Sequence, residues 1–424
     1  MNITLKTLLF FYLALLIFPS CKKSKKPPNI FSEQIVMATP IVTGNSIKIS
    51  WTALANDSLM NYSLVKVLDT ANPSHNFQRI SIDKNTTQYT DTFLLEPYAQ
   101  YHVEAILYAN RSIVSNKAVV TRNDITFFNI VPTDAVFDRN ANMIYMYNNT
   151  GDMAVYDVQN KKLLNQISTG APILSCTLGT NNGMPELYVA RKDGLLLIYN
   201  SNLVQTDQIN LGIESNVVSY NGMLFFAGNE QIISYNRSTK TQISSTRADL
   251  FTGSGSTFLR MAPNSNLAIF SIDYDWGPRY FTFDAAGHFV SMGPVSVMGG
   301  TYEPQPFEAF PDGNRIIFGS TGVIYDKNST YITTLPHASD LYSSSNYSSF
   351  TFDSTNQLIY ASTRGNSILA YSTYDYHLTK TINTIGRPIK IFYNNGQIIC
   401  VSTNYSNTFY PVYFFPYYAL IEQF

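Results

Sequence analysis

Apolar and polar residues alternate through the first third of the chain. In SIKISWTA (46–53), Ile47, Ile49 and Trp51 interleave with polar neighbours, the period-two pattern of a strand that buries one face. NYSLVKVLD (61–69), QRISID (78–83), YHVEAILYA (101–109) and KAVVT (117–121) repeat it, with Gly, Asn, Asp and Pro in the gaps. Several short strands without helical periodicity predict a β-sandwich over residues 31–123.

From residue 124 to 424 the pattern changes to a recurrence. An apolar strand ending in small or polar residues returns as NMIYMYN (142–148), PELYVAR (185–191), GMLFFAG (222–228), NLAIFSI (266–272), NRIIFGS (314–320), QLIYAST (357–363) and QIICVST (397–403). With Tyr145, Tyr188, Phe225, Phe270, Phe318, Tyr360 and Cys400 as equivalents, the spacings are 43, 37, 45, 48, 42 and 40. A second marker follows each of the first six: an aromatic residue and then Asp, Asn or Ser, as in Tyr156-Asp157, Tyr199-Asn200, Tyr235-Asn236, Phe283-Asp284, Tyr325-Asp326 and Tyr371-Ser372. The aromatic residue is expected to pack between neighbouring units, and the polar one to start a turn by accepting backbone N–H bonds. Each unit reads as four strands and no helix. Such a sheet cannot bury both faces alone, so the period predicts a closed radial stack of seven. The spare strand ITFFNIV (125–131) and the C-terminal YYALIEQF (417–424) are both candidates to complete the last unit, which favours a mixed closing sheet.

Two resemblances sharpen this all-β reading. Trp51, Leu95-Glu96-Pro97 followed by Tyr101, and Ser115-Asn116 before the last strand resemble the fibronectin type III pattern. That resemblance implies a spacer or adhesion module in which Trp51 fills the core and Tyr101 makes a tyrosine corner. The repeats resemble the YVTN/WD40-like β-propellers of bacterial envelope proteins, here with seven blades, although the strict Trp-Asp dipeptide is absent.

The N-terminus lies outside both units. Lys6 precedes LLFFYLALLIF (8–18), an apolar run too short to span a bilayer but suited to a signal-peptide core over residues 1–20. Pro19-Ser20-Cys21 resembles the lipobox of bacterial lipoproteins of the Bacteroidota type, which implies acylation of Cys21. The tether over 21–30 begins CKKSKKPPN, and its lysines add attraction to anionic lipid. The resemblance implies an outer-membrane location, and Lys22 and Lys23, where surface-exported relatives are acidic, tilt it towards the periplasmic side. Without residues 1–26 the chain carries 23 basic and 29 acidic residues, which argues against nucleic acid as a partner. Cys176 and Cys400 fall in non-neighbouring repeats and are expected to be buried thiols with no bridge.

Catalytic signals are thin. The five histidines show no metal-ligand spacing, and no phosphate-binding loop, dinucleotide fingerprint or nucleophile elbow occurs; neither a metal nor another cofactor is expected. The repeat is most interrupted at IDYDWGPRYFTFD (272–284) and GTYEPQPFEAF (300–310). Tyr274, Asp275, Trp276 and Tyr280, with Tyr302 and Glu303 on the neighbouring connection and Phe307 beside them, combine aromatic faces with carboxylates. Those groups suit capture of a sugar ring or a peptide on a propeller rim. The leading expectation is a non-catalytic recognition or scaffold module, anchored in the membrane by its lipid, with a protein or glycan ligand. The alternatives are a propeller enzyme acting on polysaccharide and a structural component of an envelope complex.

Overall fold

The computed structural model describes residues 34–43, 46–67, 77–92, 98–122, 126–128, 130–228, 231–247, 257–264, 267–272, 278–294, 305–336, 346–403 and 419–424. Within them every regular element is a strand apart from one 3-10 turn, Tyr108–Asn110.

The first unit is a sandwich of two antiparallel sheets. Ile41–Thr43, Ser46–Ser50 and Gln88–Asp91 form one sheet in that order. The other carries Phe77–Asp83, Leu59–Val67 and Tyr98–Leu107, with Arg111–Val114 and Ala118–Thr121 both pairing along the outer edge of the last. The alternating residues Ile47, Ile49, Tyr62, Leu64, Tyr101 and Val103 make the core. Trp51 is buried with its ring edge-on to Tyr62 at 5.6 Å. The Tyr101 hydroxyl donates to Asp91 Oδ2 at 2.7 Å, and the same oxygen lies 2.9 Å from Lys66 Nζ. A cation and an anion thus sit together in the sandwich interior, each compensating the other's desolvation. Ser115 Oγ accepts from Val103 N, and Asn116 Oδ1 accepts from Met37 N, so this dipeptide ties the last strands to the start of the unit. The Leu95-Glu96-Pro97 stretch lies outside the described residues.

Among the described residues from 126 onward, the strands form seven four-stranded antiparallel sheets. Six run in simple sequence order; the first is Asp134–Asp138, Met143–Tyr147, Asp152–Asp157 and Lys162–Ser168. The seven marker residues fall on the second strand of each sheet. The seventh sheet is composite. Arg387–Asn394, Gln397–Thr403 and Ala419–Gln423 come from the C-terminal end, and Phe127–Phe128 supplies the fourth strand, pairing Phe128 with Ala419 and Phe127 with Leu420.

Hydrophobic clusters show how the sheets stack. Tyr145 and Val155 of the first sheet pack with Leu187 and Tyr199 of the second. Separate clusters join the second to the third, and so on to the seventh. A further cluster brings Ile399 and Val401 of the seventh against Ile144 and Tyr156 of the first. The stack is therefore a closed ring, and no sheet presents a free apolar face at its ends. Where two sheets crowd most, side chains vanish. A Cβ on Gly179 would lie 2.1 Å from Ser219 Oγ, which itself donates to Leu178 O across the interface at 2.6 Å.

The aromatic–polar marker has a defined role. In all six copies the pairing of third and fourth strands shifts register at the aromatic residue, as between Val155 and Tyr156 or Ala370 and Tyr371. The bulge re-aims the strand, and the next residue turns it. Asp157 Oδ1 accepts from Asn160 N, Asn200 Oδ1 from Asn202 N and Val204 N, and Asn236 Oδ1 from Thr239 N. Asp284 and Asp326 each accept two backbone N–H bonds, and Ser372 Oγ accepts from Tyr374 N. Each aromatic ring packs into the cluster shared with the preceding sheet, Tyr156 against Phe128 at 5.5 Å for example.

Candidate functional site

The first strand of each sheet lies nearest the axis of the ring. Asp134–Asp138, Ile173–Asn181, Val217–Tyr220, Phe258–Met261, Phe307–Ala309, Tyr347–Asp353 and Arg387–Asn394 each touch the next, and the last returns to the first. They enclose an axial cavity of about 890 Å³. Its size lies within the roughly 300–1,000 Å³ of small-molecule sites. On the sixth and seventh inner strands hydroxyls replace side-chain bulk at the seam. Ser349 Oγ accepts from Ile391 N, Thr351 Oγ1 accepts from Tyr393 N, and Ser348 Oγ donates to Pro388 O.

Two parts of the cavity wall differ in chemistry. At one level Phe137, Leu178, Phe352 and Phe392 are equivalent by register. They pair with Ile144, Leu187, Ile359 and Ile399, and the first three of these pair onward with the marker aromatics Tyr156, Tyr199 and Tyr371. These large apolar side chains come from four consecutive sheets: the sixth, seventh, first and second. The Phe137 and Phe392 rings meet at 5.4 Å. Ser219 of the third sheet and Ala309 of the fifth hold the same register position. The wall is thus an apolar arc facing small residues.

Elsewhere the wall is polar. Lys390 Nζ lies 3.2 Å from Asp134 Oδ1, and the Tyr147 hydroxyl donates to Asp134 Oδ2 at 3.2 Å. Burial, and then the Asp134 charge, hold the Tyr147 phenol well above its usual range, while the field of Arg260 partly opposes them. Arg260 Nε lies 3.6 Å from Glu308 Oε2, and its guanidinium sits 5.8 Å from the Phe307 ring centre. Two ion pairs, Lys390 with Asp134 and Arg260 with Glu308, therefore line one cavity, and the exposed Arg139 adds a third cation to its lining. Cys176 is on the same wall, and burial together with Asp134 pushes its thiol up, away from the reactive thiolate. Cys400 is likewise buried, and neither cysteine is bridged.

The rim residues expected from the sequence stand differently. Tyr274, Asp275, Trp276, Tyr302 and Glu303 lie outside the described residues. Tyr280 is on the third strand of the fourth sheet, half-buried, with its ring 4.9 Å from Phe270. Phe307, expected at the rim, is a core residue: it is 2% exposed and packs with Phe270 and Phe318. Its ring lies in the interface between the fourth and fifth sheets. Sequence reasoning did not single out Asp134, Arg260, Glu308 or Lys390. Their signal was available in principle, because counting back from each marker strand gives the inner-strand positions.

No protein-family model matches the sequence, and no curated protein is similar to it. Similarity to solved structures is broad, with 1387 matching chains. The WD40 repeats of RRP9 superpose with a TM-score of 0.54 at 10% identity, over 71% of this chain and 97% of that one. U3-55K superposes with a TM-score of 0.53 at 10% identity, over 70% and 98%. The likeness is one of fold: an all-β chain of repeated four-stranded sheets similar to WD40-repeat propellers. A fold so widely shared does not assign a task.

Proposed function

We propose that this chain is a non-catalytic recognition scaffold of the bacterial envelope, in which a seven-bladed propeller binds a protein partner. Cys21 carries the lipid, residues 22–30 form the tether, and the sandwich acts as a fibronectin type III-like spacer. The observation that carries the binding reading is the axial wall, where Asp134 faces Lys390 and Glu308 faces Arg260. Charged and apolar groups together line a cavity of about 890 Å³, the make-up of a binding site. The likeness to WD40 propellers is consistent with a scaffold.

Two experiments test it. Labelling with a palmitate analogue is expected to mark the wild-type protein in the outer membrane fraction and to fail for Cys21→Ala; equal labelling of both removes the anchor. The full-length protein is then presented to envelope proteins and to a glycan array, beside Trp276→Ala and Tyr280→Ala. Saturable protein binding supports the scaffold. Binding to glycans alone makes the ligand a carbohydrate, and turnover of a polysaccharide replaces the reading with an enzyme.

A further inference from the structure

We infer that the axial cavity is a small-molecule site for a zwitterion bearing an apolar group, the chemistry of an apolar α-amino acid or a short apolar peptide. The inference builds on the recognition reading above and adds a ligand that the rim does not require.

Three features of the wall select this class. The first is the charge inventory. A lone anion drawn to Lys390 or Arg260 would meet Asp134 or Glu308 beside it, and a lone cation would meet the reverse. A head group carrying both signs exchanges partners with both pairs and leaves none of their four charges unmatched, and the exposed Arg139 in the lining further favours its carboxylate. The second is the arrangement of the pairs. Asp134 and Lys390 stand on the neighbouring inner strands of the first and seventh sheets, and Arg260 and Glu308 on those of the fourth and fifth, so the two pairs face one cavity from different sides of the ring.

The third feature is the position of the apolar arc. Lys390 and Phe392 are two residues apart on one extended strand, which places Lys390 about 7 Å from the apolar level. That is the reach of a ligand with a charged head and one apolar side chain. Phe352, Phe392, Phe137 and Leu178 supply a wall on one side, and Ser219 and Ala309 leave room on the other. Filling that space with an apolar group removes aromatic surface from water.

The test is calorimetric titration of the full-length chain in detergent with L-phenylalanine, L-leucine and their tripeptides. Phenylacetate, phenethylamine and glycine serve as single-charge or tail-less probes. The zwitterions with an apolar group are expected to bind about tenfold or more tighter than each of the three probes. Comparing single amino acids with tripeptides identifies which form is the better ligand. Lys390→Met and Phe352→Ser, with folding checked by circular dichroism, are each expected to lose about tenfold in affinity. Three results overturn the inference: no binding by any zwitterion, phenylacetate binding as well as phenylalanine, or affinity unchanged in folded Phe352→Ser. If the zwitterion binds and mass spectrometry finds it chemically altered, the site stands and the non-catalytic reading fails. If no zwitterion binds while an envelope protein is still retained, the site fails and the scaffold stands.

Discussion

Single polar residues do two kinds of work in this ring. Asp157 ends a strand by accepting bonds from Asn160, first from its backbone and then from its side chain, and these hold the carboxyl below its usual range. Asp207 is held low by its bond from Lys240. Both carboxylates favour the folded state above the ordinary aspartate range, and that contribution is lost as pH falls through their depressed folded values. Arg237 works across an interface. Its guanidinium donates from Nε and Nη2 to the two oxygens of Glu186 at 2.9 Å each, and from Nη1 to Asp207 Oδ2 at 3.0 Å, linking the third sheet to the second. The Arg237 side chain is 6% exposed, so removing it strands Glu186 in a desolvated site. Arg237→Ala is expected to cost about 3 kcal/mol of stability in urea denaturation. Adding Glu186→Gln should recover part of the loss.

Among the elements, the seventh sheet is where local chemistry is most unusual. Glu422 on its third strand is largely buried. Its carboxylate accepts from Ile385 N at 2.6 Å, Gly386 N at 3.3 Å and Ser402 Oγ at 2.6 Å. Burial nevertheless dominates and raises its proton affinity. A carboxyl whose folded value is raised favours the folded state at low pH, and this contribution is lost as pH climbs through the usual glutamate value to the folded one. Melting temperatures of Glu422→Gln and wild type should therefore diverge over that interval, with the wild type falling relative to the variant. A constant difference across pH would contradict the assignment. The repeated four-strand unit was legible in the sequence because the bulged aromatic and its turn-capping neighbour are set by local geometry. The mixed closing sheet was legible from the spare strand at 125–131 and the C-terminal 417–424, but not the register that pairs Phe128 with Ala419. Gln88–Asp91 and Arg111–Val114 were missed because short strands with few apolar residues carry little periodic signal. The axial site was missed for a different reason. Asp134, Arg260, Glu308 and Lys390 are isolated charges in sequence, and only ring closure brings them to one cavity.

For the whole molecule, closure matters more than any one sheet. A chain ending at Tyr418 would lose Ala419–Gln423 and leave Phe127–Phe128 without its partner strand. It would also uncover the cluster that joins the seventh sheet to the first. Such a chain is expected to lose its single cooperative melting transition in calorimetry. An unchanged transition would mean that the first six sheets are stable as an open stack. Domains generally fold as units while the chain is being made, N-terminal parts first. Here the strands of the sandwich and of six sheets all precede Arg387, but Phe127–Phe128 must wait for Ala419–Gln423 to appear. The ring is thus completed only when Ala419–Gln423 joins it, and the axial wall, which needs Lys390 beside Asp134, is held in place by strands from both ends of the repeat.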